Sequence, residues 1–207
     1  VTIKADIIEE ITRIYGYDNF SIITTKSPLK PVRSTAVRSE SNEIKDILVK
    51  HYNLHEVHSY IWGDVRRYKK LGIDVEDNVK VLNIESSDNG TIRNSMIPTL
   101  LVAVSDNKDF KENFGIFEIG RVAAGIDQNN LCIEKKFLGT TLYSRTKDVK
   151  TLYFELKDII ETVVDELKHQ SVSFEKAEPT SNFEHPINYN AIVCDNSVIG
   201  YIGIAHP

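Results

Sequence analysis

The sequence is poor in the residues that typify redox-active, zinc-binding or membrane-spanning proteins. Its 207 residues include two cysteines, one methionine and one tryptophan. Cys132 and Cys194 lie far apart and have no C-x-x-C partner, so neither a disulfide framework nor a zinc site is indicated. No apolar run approaches the ~20 residues of a membrane span, and we expect no membrane segment. Such cysteine usage favours a reducing, cytoplasmic location.

Familiar catalytic motifs are also missing. The chain contains no phosphate-cradling glycine loop and no G-x-S-x-G elbow, and neither cysteine has a histidine nearby in sequence. Of the six histidines, His55 and His58 flank a strand start and form at most a weak metal pair, so a structural role is favoured. These absences argue against a serine hydrolase with a nucleophile elbow, a cysteine nucleophile, a P-loop enzyme and a zinc enzyme.

An excess of positive charge is lacking as well. The net charge is −5, which argues against non-specific electrostatic binding of nucleic acid. One basic cluster stands out, Arg66-Arg67-Tyr68-Lys69-Lys70. It could touch an RNA backbone, but a solvated helix face explains the same residues and is the favoured interpretation.

The remaining composition, 41% hydrophobic and 27% charged, is that of an ordinary globular protein. Hydrophobic periodicity and turn residues predict helices over 4–15 (closed by Gly16), 34–51 (Ser34 as N-cap), from Pro98 onward and over 153–168, and strands over 55–62, 114–122, 137–143, 190–194 and 198–204. Hairpins among helices indicate an α+β fold with a mainly antiparallel sheet flanked by helices.

Helix 34–51 places Val37, Ile44, Ile47 and Leu48 on one apolar face and leads directly into the strand that starts at His55. A long helix followed directly by a strand resembles the dimer-interface motif of class II aminoacyl-tRNA synthetases, and this resemblance implies that the unit faces a partner subunit. The alternative is a helix buried in the core of the chain. Periodicity alone leaves both possibilities open.

Three carboxylates share one face of the first helix. Asp6, Glu9 and Glu10 stand at i, i+3 and i+4, where like charges repel. The helix dipole and Arg13 can relieve that repulsion, which is the structural interpretation. The functional interpretation is a Mg²⁺ site, because oxygen ligands on one face suit a hard cation.

The strand Phe117-Glu118-Ile119-Gly120-Arg121-Val122 resembles the one that carries the ATP-gripping arginine in class II aminoacyl-tRNA synthetases, but Ala124 stands where that arginine is expected. A methyl group cannot replace the paired, charge-assisted hydrogen bonds of a guanidinium. Losing one such donor typically costs on the order of 10²–10³ in rate. Because side chains alternate, Glu118, Gly120 and Val122 share a face with Ala124, and Arg121 points the other way.

Further segments are similar, in order, to the phenylalanyl-tRNA synthetase β chain family. They are Asp6-Ile7-Ile8-Glu9-Glu10 through Asn19, Leu82-Asn83 with Ser86-Ser87, Arg93-Asn94-Ser95-Met96-Ile97-Pro98, Phe154-Glu155-Leu156-Lys157, and Gly200-Tyr201-Ile202-Gly203 with His206-Pro207. The chain is thereby identified as a divergent, bacterial-type member. Ile84 replaces a proline of the family pattern, and Ile187-Asn188 stands where Gly-Arg usually follows His-Pro.

The resemblance implies a class II synthetase-like core domain over 21–207, preceded by the C-terminal helix of a truncated domain over 1–20. It implies a non-catalytic β subunit that supports a catalytic α subunit in the ATP-dependent charging of tRNA with phenylalanine, within a heterotetramer. ATP would be used by the complex rather than bound by this chain, and tRNA would be met through the complex. Asp6, Glu9 and Glu10 match family positions that bind a Mg²⁺ shared with the α subunit.

Two rivals remain: a catalytically active, free-standing class II ligase, and a plain protein-interaction module. The third class II signature, G-x-G-x-G-x-[DE]-R, does not occur before Pro207. We also expect Val1 to lie inside a longer protein, because no start methionine precedes the first helix. Arg93 is interpreted as an ion-pair partner or subunit contact rather than a catalyst.

Overall fold

A computed structural model describes residues 3–75, 78–84 and 90–205. Val1-Thr2, Ser86-Ser87 and His206-Pro207, which entered the sequence interpretation, lie outside this range. The helices are α1 (Lys4–Tyr15), α2 (Ala36–Lys50), α3 (Val65–Lys70), α4 (Ile97–Asn107) and α5 (Val149–Lys168). The strands are β1 (His55–Glu56), β2 (Trp62–Gly63), β3 (Thr91–Ile92), β4 (Asn113–Ile126), β5 (Cys132–Ser144), β6 (Ser173–Lys176), β7 (Glu184–Cys194) and β8 (Ser197–Ala205).

The chain divides into two compact units, Val1–Ser34 and Thr35–Pro207. The first contains α1, a 3-10 turn at Tyr17–Asn19 and a connector without regular structure. Gly16 ends α1 with φ +93°, and its N–H donates to the Thr12 carbonyl at 2.9 Å. The isoleucines along α1 are exposed, from 53% at Ile7 to 85% at Ile14.

Strands β4 and β5 form a long antiparallel ribbon at the centre of the second unit. On one face, Phe117 is fully buried among side chains of α2 and α5. On the other face, Ile116 and Val122 pack with Met96 and Leu100. Within the described range, four strand pairs are antiparallel (β2–β3, β4–β5, β6–β7 and β7–β8), and the β1–β4 pair is parallel. The predicted α+β class is confirmed.

The strand predicted over 55–62 is interrupted. It splits into β1, which pairs with β4, and β2, which pairs with β3. Between them the backbone turns from one partner to the other: Val57 N–H donates to the Phe117 carbonyl at 2.8 Å, whereas the Ile61 carbonyl accepts from Arg93 N–H at 2.9 Å. Alternating side chains reveal an extended segment but not a change of partner strand.

Helices α2 and α5 pack together on the Phe117 face. Asp148 caps α5 by accepting from the Thr151 N–H at 2.8 Å, and the helix begins at Val149, four residues before the predicted start. Thr35 rather than Ser34 caps α2. Ile47 and Leu48 lie in the core and Ile44 packs against it, while Val37 is 58% exposed. The core alternative for the Ile44 and Ile47 face is therefore confirmed.

A third sheet, in the order β6-β7-β8, ends the described chain. A tight turn joins β7 and β8 at Asp195-Asn196, between the two predicted strands, and the φ angles of 48° and 59° both fall in the left-handed region. Side-chain hydrogen bonding lets Asn and Asp tolerate that conformation, so a two-residue hairpin forms without glycine. The strands on either side extend further than predicted, since β7 begins at Glu184.

Candidate functional site

The most buried polar centre lies on the α4 side of β4. There the Arg93 guanidinium pairs with the Glu118 carboxylate, with Nη2 to Oε1 at 2.8 Å and Nη1 to Oε2 at 3.3 Å. Both side chains are only 3% exposed. The predicted role of Arg93 as an ion-pair partner near a helix start is thus confirmed, because α4 begins four residues later.

Hydrogen bonds to three backbone groups and to one serine side chain hold this ion pair in place. Arg93 N–H donates to the Ile61 carbonyl, and the Arg93 carbonyl accepts from Ala123 N–H, both at 2.9 Å. Ser59 lies between the charged groups, accepting from Arg93 Nη1 at 2.6 Å and donating to Glu118 Oε2 at 2.5 Å. Arg93 Nε also donates to the Arg121 carbonyl at 3.1 Å. Most donors of the guanidinium are therefore engaged within the chain.

Gly120 makes room for the ion pair. A Cβ at this position would overlap Nη2 of Arg93 and lie 2.9 Å from both Glu118 Oε1 and Met96 Cε. The guanidinium thus lies directly against the backbone of β4. Any larger residue at position 120 would have to displace the pair.

Ala124, which stands where the resemblance places an arginine, lies in a β-bulge. Pairing between β4 and β5 is regular up to Ala123↔Glu134 and resumes at Ile126↔Cys132, so β4 has one residue more than β5 across this interval. Ala124 lies inside the bulge and is exposed, and Gly125 follows with φ +129°. The alternation up to Val122 is confirmed: Phe117 and Ile119 pack against the α2–α5 cluster, and Val122 against α4.

Neither neighbouring guanidinium replaces the missing one. Arg93 is committed to Glu118, and Arg121 Nη1 bonds Glu134 Oε2 at 2.8 Å on the solvent-exposed ribbon. A phosphate would need a cation whose donors are unoccupied and aimed at it. Both neighbouring guanidinium groups on the β4 surface are therefore already paired with carboxylates.

Two buried hydroxyls lie next to this centre. Tyr68 Oη and Thr91 Oγ1 have no hydrogen-bond partner within the described residues. Burial is the largest influence on Tyr68 and raises the pKa of its phenol to about 12, with nearby Arg93 acting in the opposite direction. Gly63 permits this packing, since a Cβ there would lie 2.9 Å from Thr91 Oγ1 and 3.0 Å from the Tyr68 ring.

The acidic face of α1 is present, but its carboxylates do not converge. Asp6 lies in the first turn of the helix, and Glu10 pairs with Arg13 Nη2 at 2.5 Å. Across residues 3–75, 78–84 and 90–205, no three His, Cys, Asp or Glu side chains come together as a metal site. Three oxygen-bearing side chains on one face fit a hard cation chemically, but only as part of a coordination shell. The Mg²⁺ site stays a prediction.

The other sequence candidates occupy separate surfaces. The basic cluster lies on α3, where Arg67 forms a two-point pair with Asp106. His58 Nε2 contacts Glu56 Oε1 at 3.1 Å, and His55 is exposed at the start of β1. Cys132 is an exposed free thiol and Cys194 a buried one. No helix in the described ranges is both long and apolar enough to cross a membrane.

Sequence reasoning did not identify Glu118 and Ser59 as the partners of Arg93. An acidic residue inside an otherwise apolar strand, Ile116-Phe117-Glu118-Ile119, was a usable signal, because a buried carboxylate requires a cation. Nothing in sequence spacing indicated which cation it was. Arg93 directly follows β3 and Glu118 lies on β4, 25 positions further along the chain, and β3 and β4 belong to different sheets.

The fold is similar to that of an aminoacyl-tRNA synthetase. Among solved structures, the chain is similar to a pyrrolysyl-tRNA synthetase of Desulfitobacterium hafniense, with a TM-score of 0.59 and 13% identity over 80% of this chain and 57% of that one. At this identity the likeness concerns the fold alone. It confirms the predicted class II synthetase-like architecture.

The family model for the phenylalanyl-tRNA synthetase β chain CLM domain matches residues 23–207, and the chain belongs to that family. Similar curated proteins include the phenylalanine–tRNA ligase β subunits of Leptospira borgpetersenii (28% identical) and Carboxydothermus hydrogenoformans (29% identical). Each match covers 100% of this chain but only 26% and 27% of the relative. The chain therefore spans about a quarter of the length of these relatives.

Proposed function

We propose that this chain is part of the non-catalytic β subunit of a phenylalanine–tRNA ligase. It would support a catalytic α subunit that charges tRNA with phenylalanine at the expense of ATP, in the cytoplasm and as a heterotetramer. The observation that carries the proposal is the family match over 185 of 207 residues, from 23 to 207, on a synthetase fold. The interaction-module alternative offers no reason for that match.

The supporting role is inferred from the side chains that the β4 surface presents. With Ala124 at the arginine position and Arg93 buried against Glu118, this surface offers no free guanidinium where the adenylate phosphate would develop its charge. ATP would accordingly be bound by the α subunit and not by this chain. tRNA would be reached through the complex.

The carboxylates of Asp6, Glu9 and Glu10 would contribute to a Mg²⁺ site completed by the α subunit. Mg²⁺ demands near-octahedral oxygen coordination and gives up its waters reluctantly. Glu10 is already paired with Arg13, so binding would require this exposed ion pair to open. Such an opening is cheap, because exposed pairs stabilise by about 0–1 kcal/mol.

ATP–pyrophosphate exchange by the isolated chain separates the support role from an active, free-standing ligase. We expect exchange with phenylalanine to stay at the level of a heat-denatured sample. Arg121→Ala is the matched control, since Arg121 is the exposed arginine nearest in sequence to Ala124. Exchange above background that Arg121→Ala abolishes would establish the active-ligase alternative.

A further inference from the structure

A cavity of about 570 Å³ lies between α3, the loop that follows it and the residues around β3. Its volume is within the range of sites that hold small molecules. Most of its wall is aliphatic, and five side chains form that part: Val65, Ile73, Val75, Val81 and Ile84. Among the described residues of the lining, none is aromatic. The cavity therefore suits an aliphatic chain better than an aromatic ring, which would find no ring to stack on.

Backbone hydrogen bonds hold the walls of this cavity in place. Segment 79–81 runs beside β3, and the Val81 N–H donates to the Gly90 carbonyl at 2.9 Å. At the end of α3, the Ile73 N–H donates to the Tyr68 carbonyl at 2.9 Å. The walls are thus formed before any ligand enters, which lowers the cost of binding.

Two lysines line the same cavity, Lys69 in the last turn of α3 and Lys80 in the segment beside β3. Within residues 3–75, 78–84 and 90–205, neither ammonium group is paired with a carboxylate. Asp74 also lines the cavity and has an interaction of its own. Two cations and one acid give the described lining a positive charge, although the chain as a whole carries −5.

Thr91 adds a hydroxyl group to the lining. The residue is 6% exposed, and its Oγ1 has no hydrogen-bond partner within the described residues. The lining therefore contains one unused hydroxyl donor besides the two ammonium groups. A carboxylate oxygen accepts from both kinds of donor.

We propose that this cavity binds an aliphatic carboxylate, with the carboxylate at Lys69 and Lys80 and the hydrocarbon chain against the aliphatic wall. Charge-assisted hydrogen bonds to the ammonium groups orient the ligand, and burial of its chain supplies affinity. A cationic ligand is disfavoured, because both lysines repel it. The inference goes beyond the proposed function, which assigns no small molecule to this chain, and does not depend on it.

Isothermal titration calorimetry of the chain with octanoate tests the proposal. Octanoate should bind at one site, and added salt should weaken the binding by screening the lysines. Octylamine has the same chain with the opposite charge, and benzoate has the same charge on an aromatic ring. Each should bind roughly tenfold more weakly or less, since each lacks one of the two features that the lining recognises.

Variants locate the contact. Lys69→Gln with Lys80→Gln changes two exposed side chains and should weaken octanoate binding roughly tenfold or more, because hydrogen bonds to charged groups are lost. Lys108→Gln with Lys111→Gln is the matched control. It removes the same charge at two exposed lysines outside the lining and should bind octanoate as the parent chain does.

Three results would overturn the proposal. The first is an absence of octanoate binding, and the second is equally tight binding of octylamine or benzoate. The third is equal weakening by the two double variants, which would mean that only the net charge of the chain matters. Because the titration uses this chain without an α subunit, a failure to assemble with such a subunit would not affect its outcome.

Discussion

Arg93 and Glu118 form a buried ion pair that joins the start of α4 to the middle of β4, with each side chain 3% exposed. Removing one member leaves the other charge unpaired in the interior, which typically costs 3–5 kcal/mol. We therefore expect Glu118→Ala to lower the free energy of unfolding by about that amount in urea titrations.

The matched control is Glu134→Ala, which breaks the exposed Arg121–Glu134 pair. Exposed pairs contribute about 0–1 kcal/mol, so this variant should unfold near the midpoint of the parent chain. Equal losses from the two variants would mean that the Arg93–Glu118 centre is hydrated in solution.

Gly120→Ala should destabilise the chain by about 1–3 kcal/mol, the range for overpacking a core, because the added methyl group collides with Arg93, Glu118 and Met96. Gly200→Ala serves as the control, since a Cβ there would meet only Ile192 Cδ1, at 3.5 Å. Thermal unfolding of the two variants in parallel measures the difference. A neutral Gly120→Ala would show that the guanidinium does not lie against β4.

A charge on the inner face of α2 should unfold the chain, whereas one on its outer face should not. Ile47 is 3% exposed in the core, and Ile47→Asp should cost about 4 kcal/mol or more. Val49 is 45% exposed, and Val49→Asp should fold normally. Circular dichroism tests both expectations. If α2 also contacts a partner through its outer face, Val49→Asp should weaken assembly, and Ile47→Asp cannot report on that contact.

The buried phenol of Tyr68 should make the folded chain less stable at alkaline pH. Burial raises the pKa of its phenol from 10.0 to about 12, so the unfolded state releases this proton first. The contribution is fully present below pH 10 and is lost as the pH rises toward 12, at a slope of up to about 1.4 kcal/mol per pH unit.

Tyr68→Phe should flatten that alkaline slope and be neutral or stabilising at pH 7, because it deletes a hydroxyl that has no partner within the described residues. Tyr60→Phe is the control, since Tyr60 is 84% exposed and its hydroxyl meets solvent in both states. Urea midpoints from pH 7 to 11 provide the measurement. An unchanged slope in Tyr68→Phe would mean that the phenol is solvated when folded.

Substitutions on the acidic face of α1 should have different effects in the isolated chain and in the assembled ligase. Glu9→Gln with Glu10→Gln should change the stability of the isolated chain by less than about 0.5 kcal/mol, because lost repulsion and the lost Glu10–Arg13 pair oppose each other. In the assembled ligase the same change should lower the bound Mg²⁺ measured by elemental analysis. Glu175→Gln with Glu178→Gln, at two exposed acids elsewhere, should leave it unchanged.

The sequence predicted those parts of the fold that depend on local patterns. The periodicity of α5 and the Asp195-Asn196 turn are properties of neighbouring residues, and the structure contains both. Long-range pairing was not predictable: the change of partner between β1 and β2, and the Arg93–Glu118 pair, depend on strands that are distant in sequence.

The candidate site was partly predictable for the same reason. Ala124 and the alternation of β4 follow from one short segment, whereas the bulge that contains Ala124 depends on how β5 pairs across from it. The exposure of Val37 on α2 was missed, because a hydrophobic pattern does not show how far a neighbouring helix extends.

Co-expression of the full-length subunit that contains this chain with a tagged catalytic α subunit tests whether the chain belongs to a supporting β subunit. We expect the two to purify together in equal amounts, the complex to charge tRNA with phenylalanine, and neither subunit to do so alone. An α subunit that purified without its partner and was fully active by itself, or charging of tRNA by the subunit containing this chain alone, would rule out the supporting role.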